Sequence, residues 1–153
     1  MLIRRATPDD AEAVLNCLHS AFEPYRERYT PDAYRDTTLT PRTVHERMAS
    51  MSIFVAVAPD GQVIGTIASG ADGSVGHLRG MAVLPTWQGA GVAALLLDAA
   101  ERELRDQRCS LVALDTTEPL RRATRFYVKH GYRASGRVSD FFGMPLYEHV
   151  KDL

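Results

Sequence analysis

The sequence predicts an α+β fold with a mixed central sheet, and three observations predict it. Two short runs, Ile53-Phe54-Val55-Ala56-Val57 and Val63-Ile64-Gly65-Thr66-Ile67, flank the turn Pro59-Asp60-Gly61-Gln62 and read as a hairpin. A second turn, Ala71-Asp72-Gly73-Ser74, leads to a strand from Val75 to Val83, so three successive strands form an antiparallel meander. The period then changes: from Gly89 to Gln107, Val92, Leu95, Leu96, Ala99 and Leu104 mark the buried stripe of a helix.

The remaining elements follow in order. Leu2 to Arg5 reads as a first strand, and Thr7-Pro8-Asp9-Asp10 starts a helix with apolar Ala13, Val14, Cys17, Leu18 and Ala21, ending near Pro24. Tyr25 to Pro41 mixes aromatic and charged residues without a period, as a substrate-facing loop or short helix would. Thr40-Pro41 starts another helix through Ser50. In the long helix, Asp98 with Arg102 and Glu101 with Arg105 are predicted as exposed i,i+4 pairs. Leu111 to Leu114 is a further strand, and Pro119 to His130 a helix stopped by Gly131. One or two final strands lie around residues 133–138 and 145–150.

With 153 residues, 45% hydrophobic and 24% charged, the chain suits a single domain over residues 1–153 with its own core. No repeat or linker divides it. The net charge of −1 and the lack of a polybasic run argue against nucleic acid. The polar residues that follow Met1-Leu2-Ile3 argue against a signal peptide, and no apolar stretch reaches the roughly 18 residues of a membrane span. A cytoplasmic protein is expected, with Cys17 and Cys109 as reduced core thiols.

The turn Gln88-Gly89-Ala90-Gly91-Val92-Ala93 carries the chemistry. Its small residues let a ligand approach the backbone, and the first N–H groups of a helix have no internal partner. No acid occurs from Gly89 to Leu97, so the positive helix end is left for an anion such as phosphate. A dinucleotide site is rejected although residues 89–94 match G-x-G-x-x-A and Asp115 follows the next strand. That fingerprint sits directly at the end of a first strand, whereas here a meander precedes it and residues 84–88 intervene. No Gly-Lys-Ser or Gly-Lys-Thr supports a nucleoside triphosphate loop.

Gln88 to Ala93 resembles the Arg/Gln-x-x-Gly-x-Gly/Ala pattern of the GNAT superfamily of acyl-CoA-dependent N-acetyltransferases. Met81-Ala82-Val83-Leu84-Pro85 resembles that family's fourth-strand ending. Ala123 with Phe126-Tyr127-Val128-Lys129-His130-Gly131-Tyr132 resembles its A-x-x-F-Y-x-x-x-G-[FY] segment. The resemblance implies a three-layer fold with a mostly antiparallel sheet of six or seven strands and about four helices. It implies acetyl-CoA as cosubstrate, with Gln88, Gly89, Ala90, Gly91, Val92, Ala93 and Ala94 around the pyrophosphate. It further implies that the backbone of Met81, Ala82 and Val83 holds the pantetheine arm, with Val83 the donor to the acyl carbonyl.

By the same resemblance, Tyr127 protonates the departing CoA thiolate, and a phenol of pKa about 10 suits an alkyl thiol. His77 matches where several members carry a base, and Asp115 at the end of the next strand is the second candidate; a water relay is the third possibility. Arg79, on the same strand face as His77, would lower the His77 pKa or hold a substrate carboxylate. Many members carry an Asn seven residues before the tyrosine, where this sequence has Leu120. Arg121, Arg125 and Lys129 form a basic stripe or a solvated helix face.

Family architecture puts the acceptor near Phe22, Tyr25, Tyr29, Tyr34 and residues 139–142. Between Phe22 and Asp36 the acids Glu23, Glu27, Asp32 and Asp36 nearly balance Arg26, Arg28 and Arg35, so charge there selects no acceptor. The expected activity is direct transfer of acetyl to a primary amine, with a small molecule favoured, no metal and no covalent enzyme intermediate. A catalytically weak acyl-CoA sensor and a protein N-terminal acetyltransferase are the alternatives. Either a monomer or a homodimer is compatible with the sequence.

Overall fold

In the computed structural model, which describes residues 1–153, the strand Val63–Asp72 (β3) is buried continuously from Val63 to Ser69. A strand buried on both faces has to be covered twice, and this produces three layers. Ser52–Val57 (β2) and Val75–Val83 (β4) flank it, both antiparallel, and Leu2–Arg5 (β1) extends the sheet beyond β2. On the other side Leu111–Thr116 (β5) pairs in parallel with β4. Met144–Asp152 (β7) is inserted between β5 and Arg133–Phe141 (β6), giving the seven-strand order β1-β2-β3-β4-β5-β7-β6. The single parallel pair is β4–β5.

Ala11–Phe22 (α1) follows a 3-10 turn at Pro8–Asp10. The aperiodic stretch after it holds a second 3-10 segment, Glu23–Arg28, and a fifth helix, Pro31–Thr38 (α2). Thr30 and Thr40 cap α2 and Pro41–Ser50 (α3), each hydroxyl accepting from the backbone N–H three residues on, with proline at the first helical position. Gly65 and Gly70 lie five residues apart on β3 and so face opposite sides. A Cβ on Gly65 would sit 3.0 Å from Leu96 and Val92 of Val92–Asp106 (α4), and one on Gly70 would sit 3.4 Å from Met51, just beyond α3. Thus α4 covers one face, while α1 and α3 cover the other. Val14, Leu18, Val44, Val55, Ile64, Ile67, Leu96, Leu104 and Val112 are the fully buried centre.

Three local expectations are corrected. α4 begins at Val92, not Gly89, because Gly89 and Gly91 both hold φ of 85°. Its buried stripe runs Val92, Leu96, Ala100 and Leu104 at i,i+4 spacing, joined by Leu97; Leu95 is 46% exposed and Ala99 only partly covered. Glu101 is not on the surface. It is 5% exposed, accepts from Tyr132 Oη at 2.7 Å and Lys151 Nζ at 2.9 Å, and has Arg105 at 3.8 Å. This cluster ties α4 to β7 and to Tyr132, three residues beyond the end of Arg121–Lys129 (α5), itself two residues shorter at its start than expected. Asp98 and Arg102 do form the exposed pair. Cys17 and Cys109 are buried and unpaired, and burial pushes the Cys17 thiol up to about 12.

On β4, a Cβ at Gly76 would fall 2.6 and 2.8 Å from the Leu104 methyl carbons, deep in the core. Gly76→Ala is therefore expected to overpack the α4 interface and cost about 1–3 kcal/mol in denaturant unfolding. Adding Leu104→Val should recover part of the loss; an unchanged midpoint for Gly76→Ala would contradict the contact.

Candidate active site

The pairing of β4 with β5 covers Val75–Leu111, Gly76–Val112 and His77–Ala113, then stops, although β4 continues to Val83 and β5 to Thr116. A β-bulge accompanies the parting. Arg79 is opposite Ala68 and Ala82 opposite Thr66, so Gly80 and Met81 together face Ile67, with Gly80 at φ 61°. Beyond the bulge, Leu84 N donates to Ile64 O at 2.9 Å. In an antiparallel ladder the preceding residue then points its N–H and C=O away from that partner, so those of Val83 face the open wedge. The Val83 carbonyl accepts from Gln88 Nε2 at 3.1 Å, and Gln88 Oε1 accepts from Arg122 Nη1 at 3.2 Å. Gln88 thereby braces strand, turn and α5.

A cleft of about 540 Å³ occupies the wedge. At one end lie Gln88, Gly89, Gly91, Val92, Ala93 and Ala94. Ala90 alone of the predicted turn residues does not line it; its N–H donates to Trp87 O at 3.4 Å. Gly91 caps α4 without a side chain, and the first bond into the helix is Leu95 N to Gly91 O at 3.3 Å. The N–H groups of Val92, Ala93 and Ala94 are consequently left without intrahelical acceptors, and no acid occupies the first turn. A Cβ at Gly89 or Gly91 would meet nothing within 4 Å, so conformation rather than crowding requires glycine there. Open space before unpaired N–H groups at a positive helix end fits a diphosphate.

Met81, Ala82 and Val83 form one wall of the cleft, with Tyr127 and Ala123 from α5 and Leu114 to Thr117 at the end of β5. Tyr127 is buried between Phe126 and Tyr132, whose rings meet it edge-on at 5.4 and 5.6 Å, and its hydroxyl has no protein partner. Burial pushes its phenol well above the ordinary tyrosine range. Asp115 sits at the rim. Desolvation, and then Glu148 directly opposite on β7, raise its carboxyl above the usual range, while Arg137, Arg79 and His77 oppose them. His77 is exposed and does not line the cleft, because it belongs to the last closed pair of the β4–β5 ladder.

Phe22, Tyr25 and Tyr29 line the far end together, with Phe141 and Leu146 from the last two strands. Tyr29 is buried, and its hydroxyl meets Thr117 Oγ1 at 2.6 Å, joining the segment before α2 to the end of β5. Tyr34 does not line the cleft; its hydroxyl donates to Glu23. Arg79 reaches Asp36 at 3.4 Å. Sequence reasoning missed Arg47, a half-buried cation that lines this end, which burial first and then Arg79 lower to about 10. The signal was present: Arg47 stands at i+3 from the buried Val44 and beside Met48, on the apolar stripe of α3.

The sequence profile of the Acetyltransferase (GNAT) family matches residues 12–132. The chain belongs to this family. It is an acetyl-CoA-dependent acyltransferase. Aminoglycoside N(6')-acetyltransferase type 1 of Stenotrophomonas maltophilia is 33% identical over 153 residues, spanning 94% of this chain and 93% of that protein. Aminoalkylphosphonate N-acetyltransferase of Salmonella typhimurium is 28% identical over 142 residues, spanning 87% and 85%. The crystal structure of the PaiA N-acetyltransferase of Thermoplasma acidophilum in complex with coenzyme A shares the fold, with a TM-score of 0.80 at 17% identity over 99% of this chain and 98% of that one. No helix of this acetyltransferase is long and apolar enough to cross a membrane.

The cradle has a direct test. At φ 85° Gly91→Ala strains the turn by about 1–2 kcal/mol. Relief of that strain should tilt the N–H groups away, raising the CoA dissociation constant roughly five- to thirtyfold in calorimetry. An unchanged constant would mean that this turn does not grip the diphosphate.

Proposed function

We propose that this acetyltransferase moves the acetyl group of acetyl-CoA directly to the primary amine of a small molecule. The observation that carries this reading is the continuity of one cleft, from the α4 cradle past the free N–H of Val83 and the buried Tyr127 to the aromatic end at Phe22, Tyr25 and Tyr29. The amine-acetylating relatives support the same reaction class. Acetyl-CoA supplies the activated thioester. The N–H groups of Gly91 to Ala94, with Gly89, hold its diphosphate, and Met81 to Val83 align the pantetheine arm as an added strand would align on a sheet edge.

The Val83 N–H then donates to the acyl oxygen, where negative charge grows as the amine attacks. Collapse of the tetrahedral adduct breaks the carbon–sulfur bond, and Tyr127 gives its hydroxyl proton to the leaving sulfur. Burial keeps the phenol protonated, and the same poorly solvated surroundings raise the basicity of the thiolate, so the two groups stay matched. Asp115 orients the amine and takes its proton through water. Asp115 is preferred to His77 because it lines the cleft and His77 does not. Its raised carboxyl makes it a better proton acceptor than an ordinary aspartate.

Tyr127→Phe is expected to lower kcat roughly 10²-fold while CoA binding is retained, with thiol release followed where chemistry limits the rate. Unchanged turnover removes Tyr127 from the reaction. A saturable CoA site with no amine-dependent thiol release would instead identify a sensor.

Because the Asp115 carboxyl titrates above the usual range, activity should rise with pH as it ionises, through an apparent pKa higher than that of an ordinary aspartate. Asp115→Asn should abolish this acidic limb and His77→Ala preserve it. A limb that survives in Asp115→Asn and vanishes in His77→Ala reverses the assignment.

A further inference from the structure

Arg47 is an unusual tenant of the acceptor end. It projects from the apolar stripe of α3, and its guanidinium lies so close over the bulge that a Cβ on Gly80 would fall 2.8 Å from Nη1. No carboxylate comes within 4 Å of it, and none of its N–H groups donates to a protein acceptor. A guanidinium carries five such donors. The nearby acid, Asp36, is engaged by Arg79 at 3.4 Å, so that pair is neutral and Arg47 remains the unmatched charge. A partly desolvated cation without a counter-ion is costly, and an anion delivered by a ligand removes that cost. Asp115, on β5, offers the opposite charge on the same cleft.

Resting on the amine-acetylation reading above, we propose that the acceptor is a compact amine that also bears an oxyanion, carboxylate or phosphonate, with Arg47 as its anion-binding residue. The ammonium end lies toward Asp115 and the oxyanion toward α3, so the amine is presented to the thioester in one orientation. Arg79 is held by Asp36 and contributes field rather than a free fork. A polycationic acceptor would set positive charge against Arg47 and Arg79 together, which this arrangement disfavours.

The test measures kcat/KM with acetyl-CoA for aminoethylphosphonate, β-alanine, propylamine and the aminoglycoside kanamycin, in wild type, Arg47→Met and Arg47→Lys. Wild type is expected to favour at least one amino-oxyanion over propylamine by roughly tenfold or more. Arg47→Met should reduce that ratio roughly ten- to a hundredfold, chiefly through the acceptor KM. Arg47→Lys, which keeps the charge and loses the planar fork, should fall between them. Titration of the preferred amino-oxyanion into CoA-loaded protein should show the same order of affinities.

Preference for kanamycin or propylamine over both amino-oxyanions overturns the proposal and leaves amine acetylation standing. An Arg47→Met ratio equal to that of wild type does the same. Absence of thiol release with all four amines overturns both readings.

Discussion

Strands β4 and β5 are hydrogen-bonded through three register pairs and then part, and the whole site depends on that parting. A sheet that opens leaves main-chain donors and acceptors without partners, and a buried polar group in that condition costs roughly 1–3 kcal/mol. The protein settles one of them internally, through the Gln88 side chain on the Val83 carbonyl. The Val83 N–H is left facing the wedge, where a ligand that behaves like a strand can complete the ladder. The bulge at Gly80 and Met81 makes the separation permanent by giving β4 one residue more than β3. Because β3 is packed on both faces, the bend cannot relax by moving the rest of the sheet.

Around this opening the two halves of the cleft use different physics. The half at the start of α4 offers main-chain groups: two glycines at φ 85° precede a first turn whose N–H groups have no intrahelical acceptors and no acid beside them. The other half is lined by side chains brought from α1, α2, α3 and β5. Across the cleft, burial raises both the Tyr127 phenol and the Asp115 carboxyl above their usual ranges. Glu101, Tyr132 and Lys151 keep α4 fixed behind the cradle, a polar anchor in an otherwise apolar interface. A buried carboxylate with two direct donors tolerates little movement, which holds the helix end in line with the wedge.

How legible all this was varies residue by residue. The meander, the glycine turn before α4 and the place of Tyr127 on α5 were readable because each rests on local rules: turn chemistry, helix-start chemistry and a short segment of fixed spacing. The Leu95 and Ala99 assignments failed because an apolar stripe is wider than the face a sheet covers, and only packing chooses which i,i+4 row is buried. Glu101 looked like a surface residue paired only with Arg105 because its direct hydrogen-bond donors, Tyr132 and Lys151, are 31 and 50 residues distant. His77 and Asp115 were both plausible by strand position, yet the point where two strands separate appears in neither strand's sequence.

The sequence by itself determined the strand meander, the family and the acid-free glycine turn before α4, since these follow from short-range patterns along the chain. Tertiary structure alone decided where the sheet opens, that Asp115 and not His77 faces the opening, and that Arg47 stands there without a counter-charge. The physical reason is that burial and pairing are properties of what comes from elsewhere. Arg47 on α3, Asp36 on α2, Arg79 on β4 and Asp115 on β5 carry no mark of one another until the fold sets them around one cavity.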